Sequence, residues 1–186
     1  SLIREVDGDL NEYKIFEASR AMTDFVDDLS NWYVRRSRER FWGKGMAGDK
    51  EAAFATLYHI LETMSRLTAP FTPFMAENMY RNLVCSVDKD APISVHMTDF
   101  PVCDETYINA ELEGHMRDLL EVVVLGRSCR SESGLKVRQP LSRMIVSGAT
   151  LPQDLCALAE DELNVKDAVF TDDTTAFMTY QLKPQM

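Results

Sequence analysis

A mainly α-helical fold, a bundle of long helices followed by a small mixed α/β appendage, is what this sequence predicts. Three observations carry it. Apolar residues recur at helical spacing through several stretches before residue 134, capping-type residues stand where those stretches begin, and after Gly134 short β-prone runs surround one further helix. The expected division is therefore 1–134 for the bundle and 135–186 for a small α/β subdomain that the chain end cuts short. At 186 residues and 45% apolar content, the chain suffices for one ordinary core, or for a bundle with a satellite.

Residues 1–12 read as a short charged helix interrupted by Gly8, and the opening at Ser1 reads as a cut within a longer chain, with a packing partner upstream. The organising helix then runs from Tyr13 or Lys14 to Trp42. At about 100° per residue, Ile15, Ala18, Met22, Phe25, Val26, Leu29, Trp32 and Tyr33 share one side and should face the core. Gly43, Gly45 and Gly48 loosen the chain, and Asp49 is expected to accept backbone N–H groups where the next helix starts. The Gly43-x-Gly45-x-x-Gly48 spacing fits a bare dinucleotide pattern. It follows a helix where that chemistry needs a strand, so it is read as a loop.

From Lys50 to Ala69, Ala53, Phe54, Leu57, Ile60, Leu61, Met64 and Leu67 form a second core stripe. Pro70 and Pro73 separate it from a helix with Thr72 as cap and Pro73 in the first position, continued by Phe74, Ala76, Met79, Tyr80 and Leu83. Asp88 to Glu105, with an extended Ile93–Phe100 between two prolines, should cross the end of the bundle. Asn109 is placed to cap a helix through Ser133 that turns Leu112, Met116, Leu119, Leu120 and Val123 inward. Gly134 permits the left-handed ending and Leu135 the contact after it. Beyond lie a strand over Leu141–Val146, a helix over Pro152–Leu163, and strands over Val165–Phe170 and Ala176–Leu182 around a turn at Thr171–Thr174.

The net charge of −10 conceals an uneven arrangement. Residues 30–50 hold six Lys/Arg against two Asp/Glu, and residues 127–143 hold five against one, inside a body that is otherwise acidic. Two short positive stretches suit a polyanion met over a limited footprint and exclude non-specific coating of nucleic acid. The first is the sharper: Asn31 to Trp42 packs two tryptophans and four arginines into twelve residues. Asn31, Arg35, Arg38 and Trp42 follow i, i+4, i+7, i+11 spacing, an amide, two guanidiniums and an indole in one strip that suits phosphates and a stacked base. Arg36 and Arg40 fall near the apolar stripe; they are either further polyanion contacts lining a cleft or supports of the bundle that snorkel beside neighbouring helices. Arg127 and Arg130 close the long helix before Gly134, and Lys136, Arg138 and Gln139 follow it as a second candidate contact.

Other chemistry lacks its motifs. There is no Walker loop, His-Glu-x-x-His pair or serine-hydrolase elbow, and His59, His96 and His115 stand apart. Cys85, Cys103, Cys129 and Cys156, spaced by 18, 26 and 27 residues, form no metal knuckle and read as reduced small hydrophobes in a cytoplasmic protein without a secretory leader. No run of 18 apolar residues suggests a membrane span.

Four blocks now carry a resemblance: Asp28-Leu-Ser-Asn-Trp-Tyr-Val-Arg-Arg-Ser-Arg-Glu-Arg-Phe-Trp42, Leu67-Thr-Ala-Pro-Phe-Thr-Pro-Phe-Met-Ala-Glu77, Ser94-Val-His-Met-Thr-Asp-Phe-Pro101 and Leu135-Lys-Val-Arg-Gln-Pro-Leu141. Glu162-Leu-Asn-Val-Lys166 and Leu182-Lys-Pro184 extend it into the appendage. In combination they resemble the anticodon-binding region of the isoleucyl-tRNA synthetases, class I enzymes. The resemblance implies an anticodon-binding helical bundle that receives isoleucine tRNA. It implies a monomeric parent whose catalytic and editing domains lie elsewhere and which uses ATP and Mg2+ for isoleucylation, with zinc in some members. The His-x-Gly-His and Lys-Met-Ser-Lys-Ser signatures of that chemistry do not occur in residues 1–186, so no catalytic residue and no cofactor are expected in this piece. On this reading Arg35 and Arg38 hold phosphates, Asn31 reads a base edge and Trp42 stacks an unpaired base, while Trp32 belongs to the core. The alternative from another class is a protein-interaction or structural helical domain, which would not distinguish cognate from non-cognate tRNA.

Overall fold

The computed structural model describes residues 1–45, 48–148 and 150–171. The chain divides into two compact units, Ser1–Thr106 and Tyr107–Met186. The described chain is mainly helical and ends in a small two-stranded sheet, the fold class that the sequence predicts.

In the first unit, α1 (Leu2–Asn11) and α2 (Ile15–Asp28) form a hairpin. Gly8 does not interrupt α1, although a glycine there costs a helix about 1 kcal/mol relative to alanine. The reversal is made at Tyr13, a non-glycine residue at φ 59°, with the Lys14 amide donating to the Asp9 carbonyl at 2.8 Å. The hairpin closes over Val6, Ala18 and Met22, which join Met64 and Leu67 in one buried cluster; Leu2, Leu10, Phe25, Ile60, Phe71 and Phe100 pack around it.

The organising helix is not one uniform helix. After α2 the backbone opens into a wider π-helical stretch over Leu29–Val34, turns at Ser37 and resumes as α3 (Arg38–Trp42). The inward line explains the change. Phe25, Leu29, Tyr33 and Phe41 are half-buried and Ser37 is buried, a run of steps of four residues. In an α-helix each such step overshoots a full turn by about 40°; a π turn absorbs part of the excess. Ile15 and Val26, expected inside, are instead 51% and 47% exposed. α3 is held against α4 (Gly48–Thr68) by a ladder of rings, Tyr33 to Phe41 at 6.4 Å and Phe41 to Phe54 at 5.0 Å, and by the Tyr33 hydroxyl donating to the Ala53 carbonyl at 3.1 Å.

Pro73 opens α5 (Pro73–Tyr80) as expected. Thr72 occupies the cap position without capping, since its hydroxyl donates back to the Thr68 carbonyl at 3.4 Å. The segment expected to be extended contains a single 3-10 turn, Val95–Met97, because the Glu77 carboxylate gathers the Ser94 hydroxyl at 2.8 Å and the Val95 amide at 3.0 Å. Val95 is thereby buried with Ala69, Ala76 and Tyr80.

The second unit is built on α6 (Ala110–Glu132). Its ends follow the sequence: Asn109 Oδ1 accepts the Leu112 amide at 3.0 Å, Gly134 sits at φ +66°, and the Leu135 amide reaches back to the Arg130 carbonyl at 2.8 Å. Leu119, Val122 and Val123 are buried, whereas Leu112 is 52% exposed. β1 (Met144–Val146), α7 (Gln153–Leu163) and β2 (Ala168–Phe170) make a βαβ unit with parallel strands, Met144 opposite Ala168 and Val146 opposite Phe170. The β-prone residues before β1 contribute only an isolated bridge, Leu141 to Val165. α6 and α7 approach closely at Gly126, where a Cβ would stand 2.5 Å from Leu163 Cδ1. The strand expected at Ala176–Leu182, and the turn past Thr171, lie outside the described residues.

Candidate nucleic-acid interface

The strip at the end of the organising helix is exposed. Asn31, Arg35, Arg38 and Trp42 all lie at the surface, Trp42 to 76%. The Arg38 guanidinium stacks 5.3 Å from the Trp42 ring centre and the Arg35 guanidinium 6.0 Å from that of Trp32. Arg35 Nε also donates to the Asn31 carbonyl at 2.7 Å, one turn back. Stacking over an aromatic face orders a guanidinium through its plane, whereas carboxylates and phosphates are met through its N–H edge. Each such exposed pair contributes about 0.5–1 kcal/mol. Trp32, expected in the core, is half-buried and shares its ring with Arg35.

Arg36 and Arg40 lie apart from this strip, both half-buried. Arg40 grips the start of α4: Nε and Nη2 donate to the two Asp49 carboxylate oxygens at 2.8 and 2.7 Å, and Nη2 also to the Asp49 carbonyl at 3.1 Å. The hydrogen bond from Arg40 holds the Asp49 carboxyl below the usual range, and its counterpart raises Arg40. Asp49, expected to cap α4, is thus one half of a clamp. Lys50 adds to it, its ammonium donating to the Gly43 carbonyl at 2.7 Å and resting 5.9 Å from the Phe54 ring centre.

In the second unit the five residues expected to touch a polyanion differ in their placement. Lys136, Arg138 and Gln139 are exposed on a turn closed by the Gln139 amide donating to the Lys136 carbonyl at 2.9 Å. Arg127 pairs with Glu162 at 2.8 Å, its own side chain 49% exposed and that of Glu162 only 3%. Arg130 departs furthest from expectation. It is 4% exposed, and its Nη1 donates to the carbonyls of Lys136 and Gln139 while Nη2 donates to those of Leu163 and Asn164, all between 2.6 and 3.1 Å. Those last carbonyls end α7, where unsatisfied acceptors and the helix dipole both favour a cation. Arg130 therefore presents no surface to a polyanion; it holds together the elements around it. Sequence reasoning missed Asn164, which takes the left-handed cap of α7 at φ 51° and donates from Nδ2 to the Val137 carbonyl at 3.1 Å. An Asn directly after an apolar helical run was the available signal.

Among the described residues no group of three His, Cys, Asp or Glu side chains could hold a metal ion, and no helix is long and apolar enough to cross a membrane. All four cysteines are free thiols.

A family model described as the anticodon-binding domain of tRNA ligase matches residues 1–145. The isoleucine–tRNA ligase of Clostridium tetani is 45% identical over 186 residues, all of this chain and 18% of the ligase. That of Dehalococcoides mccartyi strain CBDB1 is 48% identical over 180 residues, 94% of this chain and 18% of the ligase; that of Chlamydia trachomatis is 42% identical over 188 residues, 99% of this chain and 18% of the ligase. The chain thus spans about a fifth of the length of these relatives. A basic, tryptophan-bearing helix end within an acidic helical chain and a family match over most of its length converge: the chain belongs to the family of anticodon-binding domains of tRNA ligases, and along its whole length it is similar to one stretch of the isoleucine–tRNA ligases.

Proposed function

We propose that this chain receives the anticodon stem-loop of isoleucine tRNA and positions that tRNA for ATP-dependent isoleucylation carried out by other domains of a longer, monomeric, cytoplasmic ligase. Residues 1–134 act as the anticodon-binding bundle and 135–186 as its small α/β companion. The observation that carries the reading is the exposed strip in which Arg35 and Arg38 are ordered over Trp32 and Trp42. Arg35 and Arg38 hold phosphates, Asn31 reads a base edge, and Trp42 stacks an unpaired base on its open face. Arg40 supports the strip from the α4 side, Arg36 is a further candidate for contact, and Lys136, Arg138 and Gln139, with the exposed edge of Arg127, make a second contact. ATP, Mg2+, any zinc and the editing function belong to the remainder of the ligase.

The test is binding of isoleucine tRNA by the full-length ligase carrying Arg35→Ala and Arg38→Ala. Weaker binding is expected, with the slope of log affinity against log salt reduced by about one for each phosphate no longer neutralised. Retained affinity with an unchanged slope overturns the phosphate role. A protein-interaction module draws support from exposed apolar side chains such as Phe74, 90% exposed, and Met75, 60% exposed. Equal affinity for cognate and non-cognate tRNA would favour that module instead.

A further inference from the structure

The buried guanidinium of Arg130 is not used by the proposed function, yet it is bonded to the exposed basic turn at both ends. We propose that Arg130 is a positioning residue for RNA contact by Lys136, Arg138 and Gln139, acting through the backbone of that turn and never touching the RNA. The inference rests on the reading of the turn as an RNA contact.

Three features carry it. First, the turn stands in no helix or strand, and its own closure is one hydrogen bond, Gln139 amide to Lys136 carbonyl at 2.9 Å. Secondly, the carbonyls at its two ends, Lys136 and Gln139, accept from the same nitrogen, Arg130 Nη1, at 3.1 and 3.0 Å. The span of the turn is thereby fixed by one atom of a side chain that is 4% exposed. Thirdly, Nη2 of the same group is anchored on the Leu163 and Asn164 carbonyls at 2.6 and 3.1 Å, and Asn164 returns a bond to the intervening Val137 carbonyl at 3.1 Å. The end of α6, the turn and the end of α7 meet on one rigid planar fork. Lysine, with a single rotatable ammonium, cannot reproduce four directed donors from two nitrogens. A contact loop ordered before its ligand arrives loses less entropy on binding, so the consequence of this clamp is affinity at Lys136 and Arg138.

The experiment is a double-mutant cycle in the full-length ligase, read as the dissociation constant of an isoleucine tRNA transcript and its salt slope. Lys136→Ala with Arg138→Ala in an otherwise native ligase is expected to raise Kd by about tenfold and lower the salt slope by about one to two. In a ligase carrying Arg130→Lys, which already binds more weakly, the same pair of substitutions is expected to add less than about a further twofold, because residues that act through one another are not additive. An equal cost in both backgrounds overturns the positioning role and leaves Arg130 as a packing residue. No cost in the native background overturns the reading of the turn itself, and the inference with it. Should Arg130→Lys fail to fold, hydrogen exchange in the native full-length ligase supplies the test. A Gln139 amide that exchanges slowly before tRNA is added supports a turn ordered in advance by Arg130, and one that becomes slow only when tRNA binds overturns the positioning role.

Discussion

Two glycines on α6 allow one substitution to be tested with opposite outcomes. Gly114 has open space where a Cβ would stand, with nothing within 4 Å, whereas at Gly126 the same atom would lie 2.5 Å from Leu163 Cδ1, 3.0 Å from Cδ2 and 3.3 Å from Cγ. Both gain helix propensity on becoming alanine, about 0.8–1.0 kcal/mol in a helix interior. At Gly114 nothing opposes the gain. At Gly126 the obstructing methyls belong to a leucine that is 1% exposed. Forcing an extra carbon into such packing costs about 1–3 kcal/mol. Gly114→Ala should therefore stabilise α6 by about 1 kcal/mol, and Gly126→Ala should destabilise the α6–α7 contact by a net of about 0–2 kcal/mol. The chain has two compact units, so a single melting temperature mixes them. Native-state hydrogen exchange at α6 and α7 amides resolves the difference. Adding Leu163→Ala, which vacates the obstructed space, should remove the difference between the two glycine variants. Equal protection of the two single variants would refute the argument from close approach.

Other expectations follow from the same geometry. Asn109→Ala removes the oxygen that accepts the Leu112 amide and should cost about 1 kcal/mol, read as faster exchange in the first turn of α6. Trp42→Ala, at a site 76% exposed, should change stability by no more than about 1 kcal/mol while lowering discrimination between cognate and non-cognate tRNA; a large loss of stability with discrimination intact would return Trp42 to the bundle. Asp49 is held below its ordinary 3.8 by Arg40, and Glu77 below its ordinary 4.5 chiefly by the Ser94 hydroxyl. A carboxyl depressed on folding stabilises above its ordinary value and ceases to do so as pH falls through the folded one. Acid titration below about pH 4 should thus release α3 from α4 and free the Val95 amide, seen as changed tryptophan emission and faster exchange at Val95. Asp49→Asn should abolish the emission change alone.

Local signals were legible where one residue type has one physical use. Asn109 at the head of an apolar run and Gly134 at its foot marked α6 because few residues accept an amide there or take positive φ at low cost. The exposed strip was legible for a similar reason, as charge and indole recurred on the face opposite the apolar line. What escaped depends on partners distant in sequence. Arg130 and Arg138 are indistinguishable as letters, and only the end of α7, more than thirty residues on, decides which is buried. As letters, Arg40 read as a candidate contact and Asp49 as a helix cap, and only the fold pairs them with each other. Ile15 and Val26 were misplaced because both stand at one edge of the apolar stripe of α2, whose buried residues are Ala18 and Met22, and an edge position is covered only if a neighbouring element reaches it.

The widened stretch over Leu29–Val34 separates length from direction. Excising one residue there would let the backbone relax to a regular α-helix and leave the downstream face almost where it stands, because six residues at roughly 80° and five at about 100° turn the chain by nearly the same angle. Excising one from the regular α2, with nothing to absorb the loss, would instead swing everything downstream by about 100° around the axis and carry the arginines and the indole toward the hydrophobic interior. The wide turn is consequently the place where this rod tolerates a change of length without re-aiming the surface it displays.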